Sequence, residues 1–397
     1  MKRSVLILNL LILTSHLFAY KNFNSTLSET NKFSRNKLEH ENAIILGATY
    51  IGDLANNISG GLNKGIVYLG LGNLTLNINT KNMGLWSGGN IYLNGASAHG
   101  KSPTENLIGD FQVASNIDAG RNILYIQEFW YKQSFTNLEF TIGIQDLNAE
   151  FATSQNSSEF INSSFGIAPV IADNVPCSIF PITGLGFTGK LKLNEDITIQ
   201  MALFDGFPTG INNIENNTSR KIQSNDGFLY FTELQFTKKL NNLSSSYKIG
   251  YYYHSGLVEV NEETNLTSSI INNNEGYYFI ADHSLLQKGN KSIGLFTQLS
   301  FSPSEINLHN KYVGAGFRFS GWFDKQHNNE IGIAIAYAGF NKELNHKHET
   351  LIEIYYNLPL NKNIYLKPDL QYIINPLGTE TIIKNAMVLF LRFGIEF

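Results

Sequence analysis

The 397-residue chain is short of most things that would staple it or let it cross a membrane as helices: it has one cysteine, Cys177, 9 prolines, 3 tryptophans and only 16% charged residues. A lone cysteine excludes an internal disulfide framework, so an exported chain of this size must be held by its core or by a large closed sheet. Beyond the first nineteen positions there is no run of 18 or more apolar residues, which excludes transmembrane helices. Also missing are a G-x-S-x-G elbow and an H-E-x-x-H pair. Ser97 and His99 share a strand face without a third partner, and His346 and His348 of "NHKHET" read as solvated loop residues. No enzyme activity, metal or cofactor is therefore expected. The formal net charge of −4 becomes −6 once Lys2 and Arg3 are removed, which gives no electrostatic case for nucleic acid.

What is present begins with "MKRSVLILNLLILTSHLFA", where Lys2 and Arg3 precede an apolar run that closes on the small Ala19. That layout predicts a signal peptide over residues 1–19, with Tyr20 near the mature N-terminus. Residues 20–42 are polar and without period, and read as a lead-in to a single unit over 43–397. From Ala43 onward short segments alternate apolar and polar residues. "LGNLTLNIN" sets Leu74, Leu76 and Ile78 against Asn73, Thr75 and Asn77, and "LEFTIGIQD" sets Leu138, Phe140, Ile142 and Ile144 against Glu139, Thr141 and Gln145. Side chains of a strand point to opposite faces in turn, so each segment has one apolar face.

About sixteen such segments follow one another, each near the ten residues that a tilted membrane strand needs. The expected fold is all-β, a transmembrane antiparallel β-barrel. Short turns are expected at Lys192–Asp196 and at Lys238–Ser246, and a long inward-folding loop over Leu147–Thr183. The last segment puts Met387, Leu389, Leu391, Phe393, Ile395 and Phe397 on one face. A final strand ending in phenylalanine resembles the signal by which bacterial outer-membrane barrels engage their insertion machinery, with outer-membrane lipid and lipopolysaccharide then surrounding the wall.

Seven stretches resemble the carbohydrate-selective porin family, the OprB-type channels of the bacterial outer membrane. They are "GDFQVASNIDA" at Gly109–Ala119, "EFWYKQ" at Glu128–Gln133, "NAEF" at Asn148–Phe151, "NSSFG" at Asn162–Gly166, "YKIGYYYHSG" at Tyr247–Gly256, "SPSEINL" at Ser302–Leu308 and "PDLQYIINPLG" at Pro368–Gly378. The resemblance implies a sixteen-stranded barrel and passive uptake of glucose and related small sugars, with a homotrimer compatible with it. Lys132 departs from the acidic residue common at that position, which bears on the charge of the pore.

In "ILYIQEFWYKQS" strict alternation places Glu128, Trp130 and Lys132 on one face and Ile123, Tyr125, Phe129 and Tyr131 on the other. A sugar carries hydroxyls around its edge and C–H groups on its faces, so charged hydrogen-bond partners beside an aromatic plate suit its passage. Glu128, Trp130 and Lys132 are the first candidates for such a constriction, with Arg318, Glu233 and, from the long loop, Glu150. The same parity puts Glu139, Lys190, Lys192, Lys248, His254, Glu353, Lys367, Asp369 and Arg392 in the lumen, because charge is costly on the lipid face. Most of these are expected to be wall charges, Lys192 near a turn being the weakest candidate. Glu159 joins Glu150 as a loop candidate, while Phe151 and Phe160 are expected to pin that loop. The competing expectation is a general diffusion porin without sugar preference.

Overall fold

The alternating segments pair with their neighbours until the last meets the first. The computed structural model describes residues 42–397 apart from 209–215, 219–225, 241–242, 257, 260–269, 272, 308, 323–328, 342–346 and 377–381. The signal peptide, the lead-in through 41 and His346 lie outside the described residues. The barrel strands are β1 (Ile44–Gly61), β2 (Gly65–Asn79), β3 (Gly89–Gly100), β4 (Ile123–Ser134), β5 (Leu138–Gln145), β6 (Gly184–Lys192), β7 (Ile197–Asp205) and β8 (Phe228–Leu240). They continue as β9 (Leu243–His254), β10 (Asn274–Lys288), β11 (Lys291–Phe301), β12 (His309–Ser320), β13 (Glu330–Phe340), β14 (His348–Pro359), β15 (Ile364–Ile374) and β16 (Lys384–Glu396). The sixteen strands form one closed barrel in sequence order, and β16 pairs antiparallel with β1. Closure leaves the barrel itself without an unpaired edge. Among the described residues no helix is long and apolar enough to cross a membrane.

The outer face is an apolar band of large, well-exposed side chains that includes Leu46, Ile66, Leu74, Phe129, Ile142, Ile249 and Leu391. A band of that extent around a barrel is what a lipid-facing wall requires and what water would not tolerate. The β8–β9 turn is tighter than the sequence suggests, since pairing runs out to Leu240 opposite Leu243.

One expectation fails inside β4. Asn94 of β3 pairs with Glu128, but its neighbour Gly95 pairs with Ile126, so Gln127 is an extra, bulged residue. Past a bulge the alternation shifts by one. Tyr125 is therefore buried on the inner side, Ile123 packs with it against Leu69 and Ala98, and Leu124 faces outward instead. Glu128, Trp130 and Lys132 keep their inward direction.

Two loops enter the barrel from the same end, over 101–122 (loop 2) and 146–183 (loop 3). They pair with each other inside it, Asn116 N donating to Ile161 O at 2.8 Å and Ser163 N to Val113 O at 3.0 Å. Loop 3 was expected to fold inward; loop 2 was not. Phe151, Phe160 and Phe165 are almost fully buried in the apolar core that the loops share with the wall. Phe160 packs edge-on against Phe296 and Tyr355, with ring centroids 5.6 and 4.9 Å away. Burying a Phe side chain contributes about 1.5–3 kcal/mol, so three of them hold the loop firmly. The small residues Gly332, Ala334, Ala336 and Ala338 of β13 face the lumen and make the room: a Cβ on Gly332 would meet the rings of Tyr355 and Phe160.

Candidate functional site

The wall grips the loops through carboxylates that accept backbone N–H groups. Glu353 of β14 accepts from Ile161 N at 2.6 Å and Asn162 N at 3.1 Å, and Glu349, four residues earlier on the same face of the strand, accepts from Phe111 N at 2.8 Å and Gln112 N at 3.0 Å. Asp282 of β10 accepts from Gln155 N and Asn156 N at 3.1 and 3.0 Å. Glu233 of β8 accepts from Ala152 N at 2.9 Å and also from Gln200 Nε2, Gln235 Nε2 and the Tyr278 hydroxyl. Charged acceptors make the stronger hydrogen bonds, and here they satisfy loop donors that would otherwise be buried unpaired.

Cations do the complementary work. Lys248 Nζ donates to Thr153 O at 2.7 Å, Arg318 Nη1 to Gln155 O at 3.3 Å and Lys367 Nζ to Glu159 O at 2.7 Å. His254 is buried with its Nε2 at 2.6 Å from Gly206 O. Asp369 is buried in β15, and Lys192 is exposed beside the 193–196 turn. Glu128 is buried at the root of loop 3, where it accepts from Trp130 Nε1 at 3.1 Å and lies 3.5 Å from Asp146 N. Glu128, Glu233 and Glu353 are thus buried where they hold the loop.

Further charged pairs gather at the two ends of the segment 150–159, where Glu150, Lys190, Lys132, Glu139 and Glu159 are partly exposed, Arg318 and Glu330 less so, and Lys367 is buried. At one end Glu150 lies 2.8 Å from Lys190 Nζ and 3.4 Å from Lys132 Nζ, and Lys132 is also 3.2 Å from Glu139. These side chains, with Thr141, Thr188 and Gln200, line a small cleft that opens to solvent. Burial inside the barrel pushes the Glu150 carboxyl up, but Lys190 and Lys132 outweigh it and bring its pKa down to about 2. Its side chain nevertheless reaches the lumen water, being 41% exposed.

At the other end Glu159 accepts from Lys367 Nζ at 2.9 Å, and that cation holds its carboxyl below the usual range against the effect of burial. Lys367 also sits over the Tyr355 ring at 4.8 Å. Beside it Arg318 Nε lies 3.2 Å from Glu330, which accepts from the Tyr355 hydroxyl at 2.5 Å. Since β4 and β12 are eight strands apart in a ring of sixteen, the Lys132 and Arg318 clusters face each other across the barrel.

Trp130 is in the lumen but is not an open plate. One face stacks on Tyr92 with centroids 4.9 Å apart, and the Lys132 ammonium lies 5.5 Å from its ring centre. Sequence reasoning passed over Asp53, Asp282, Glu330 and Glu349, all charges on the inner face. For Asp53, in the first strand, the parity argument applied to Arg392 was sufficient to find it. Glu349 follows two histidines that read as a loop, whereas His348 is in β14 with its ring stacked on Tyr337 at 5.1 Å.

The match to the family described as "Carbohydrate-selective porin, OprB family" covers residues 63–397. Porin B of Pseudomonas aeruginosa is 22% identical over 405 aligned positions, which take in 88% of this chain and 86% of that protein. Among solved structures, the high-pH structure of Pseudomonas putida OprB superposes with a TM-score of 0.81 at 18% identity, covering 92% of this chain and 96% of that one. A loop L8 deletion mutant of Vibrio cholerae OmpT gives a TM-score of 0.55 at 11% identity, with coverage of 90% and 100%. These structural likenesses are likenesses of fold, a closed barrel in each case. Together with the family match they point to a channel rather than an enzyme, and the chain belongs to the carbohydrate-selective porin, OprB family.

Proposed function

We propose that small neutral carbohydrates, glucose among them, diffuse passively through this barrel and make their narrowest contact with Glu150, Lys132 and Lys190, with the Arg318–Glu330 and Glu159–Lys367 pairs opposite. The observation that carries the reading is the pairing itself: each of these cations has a carboxylate within 3.4 Å. A hydroxyl both donates and accepts, so a sugar edge can bridge an ammonium and a carboxylate that already point at the lumen. A passing ion meets its own sign as readily as the opposite one, which removes the advantage a one-signed ring would give it.

An outer-membrane setting follows from the porin relatives. Export by a signal peptide over 1–19, contact with lipopolysaccharide, delivery by the barrel-insertion machinery and assembly into trimers are further parts of this reading. The covered faces of Trp130 favour the competing reading of general diffusion, since the aromatic contact expected of that residue needs an open ring. Ion current through single channels in a planar bilayer separates the two. Glucose should reduce the current in the unmodified protein and reduce it less after Lys132→Ala or Glu150→Gln. Equal insensitivity of all three to glucose favours general diffusion.

A further inference from the structure

The clamp on loop 2 contains a carboxyl without a counter-ion. Glu349 of β14 accepts from Phe111 N, Gln112 N and Gln112 Nε2 at 2.8, 3.0 and 3.2 Å, so the donors of this segment already point at one carboxylate. Asp110 immediately precedes them and is buried, and neither of its carboxyl oxygens has a hydrogen-bond partner among the described residues. None of the ion pairs among those residues includes it. A carboxylate taken out of water and set against a second one is costly, so the fold favours its neutral form. Burial and Glu349 hold the Asp110 carboxyl well above the ordinary range, against the smaller pull of the Thr104 hydroxyl and its own N–H. The chain here is also strained. Val113, three residues on, has φ 54°, a left-handed conformation that a β-branched residue rarely adopts. Its carbonyl accepts from Ser163 N, and Asn116 N donates to Ile161 O, so loop 3 leans on the clamped stretch.

We infer that Asp110 is a proton-dependent latch on the pore: with its proton it lets loop 2 stay seated on Glu349, and without it two like charges push the segment 110–113 off the wall. Loop 3 then loses the support it takes from Val113 and Asn116, and the lumen widens. This regulation is independent of which solute passes. The sign follows from linkage. The seated loop holds the proton more tightly than the released one, so seating is strongest in the ordinary carboxyl range and weakens as pH rises toward the raised value. The strain at Val113 adds to the release. The titratable groups around Asp110 are Glu349 from β14, Asp118 from loop 2 itself and, beyond the Phe111 ring, His309 from β12 with Asp173 of loop 3 at 4.0 Å from its imidazole. From β13 comes Phe340, packed on Phe111, and from the approach to β16 comes Ile383 beside Gly109, both apolar.

The test is mean single-channel conductance in planar bilayers, from about pH 5 to about pH 10, for the unmodified protein, Asp110→Asn and Asp173→Asn. Conductance should step up with rising pH in the unmodified protein and in Asp173→Asn. The step should be lost in Asp110→Asn, whose amide has the shape of the protonated acid and cannot ionise. If Asp110→Asn does not insert, Asp110→Leu, equally uncharged in a place that offers no hydrogen-bond partner among the described residues, is expected to lose the step as well. A conductance that stays level across this range in the unmodified protein overturns the latch. So does a step that persists unchanged in the uncharged Asp110 variant, and a step lost in Asp173→Asn instead assigns the titration to loop 3.

Discussion

Arg392 and Asp53 are directly opposite each other where the last strand meets the first, and form a two-pronged pair with Nε–Oδ1 at 2.7 Å and Nη2–Oδ2 at 2.8 Å. Asp53 also accepts from the Ser115 hydroxyl at 2.7 Å, and Arg392 donates to Asn116 Oδ1 at 2.8 Å. One ion pair therefore joins the barrel seam to loop 2. Both side chains are buried, and removing one partner leaves the other charge without compensation. Asp53→Ala should cost about 3–5 kcal/mol. Thermal unfolding in detergent micelles checks this, with the double variant Asp53→Leu, Arg392→Met expected to lie closer to the unmodified protein.

The barrel was legible because its signal is repeated sixteen times: parity in one strand is weak, but the same parity in every segment is not. The direction of Glu128, Trp130 and Lys132 was legible for the same reason. Tyr125 was misplaced because a bulge at Gln127 leaves no composition mark; an extra residue looks like any other until the partner strand is known. Loop 2 was missed because its inward course depends on acceptors 237 and 238 residues away, at Glu349. The division of the lumen charges into loop anchors and open groups depends likewise on where loop 3 lies, which parity does not encode.

Glu353→Gln should loosen loop 3 while leaving the barrel closed. The carboxylate accepts two loop N–H groups at once, whereas an amide offers one oxygen and a donor that faces other donors. A loss of about 1–3 kcal/mol is expected from the donor left unsatisfied. Single-channel records should show added current noise and a larger mean conductance, against unchanged melting of the β-sheet by circular dichroism.

Gly332→Val should act on the same loop by volume rather than charge. The added Cβ would meet Phe160 Cζ at 2.8 Å and the Tyr355 ring as well, so the loop or the ring must shift. Overpacking of this kind costs about 1–3 kcal/mol. Faster proteolysis within 146–183 than in the unmodified protein, with the barrel intact, is the expected readout.

Glu150 should give the lumen a defined acid limit. Its pKa is lowered to about 2 by Lys190 and Lys132 against the effect of burial, so the stability it adds is fully present above its ordinary value near 4.5 and is lost as pH falls toward 2. Because the group reaches lumen water, high salt should weaken the same pairs. Ion selectivity measured from reversal potentials should keep the Glu150 contribution down to about pH 4 and lose it only below about pH 3, and Glu150→Gln should shift selectivity toward anions at neutral pH.

The charges around Glu150 are proposed to favour sugars over other small solutes. The most direct test is uptake by proteoliposomes of glucose, a disaccharide and an uncharged amino acid, with the unmodified protein and with Lys132→Ala. Faster, saturable glucose entry that the substitution slows severalfold, while amino-acid entry changes little, is the predicted result. Entry ranked by size alone, and equally in both proteins, would contradict it.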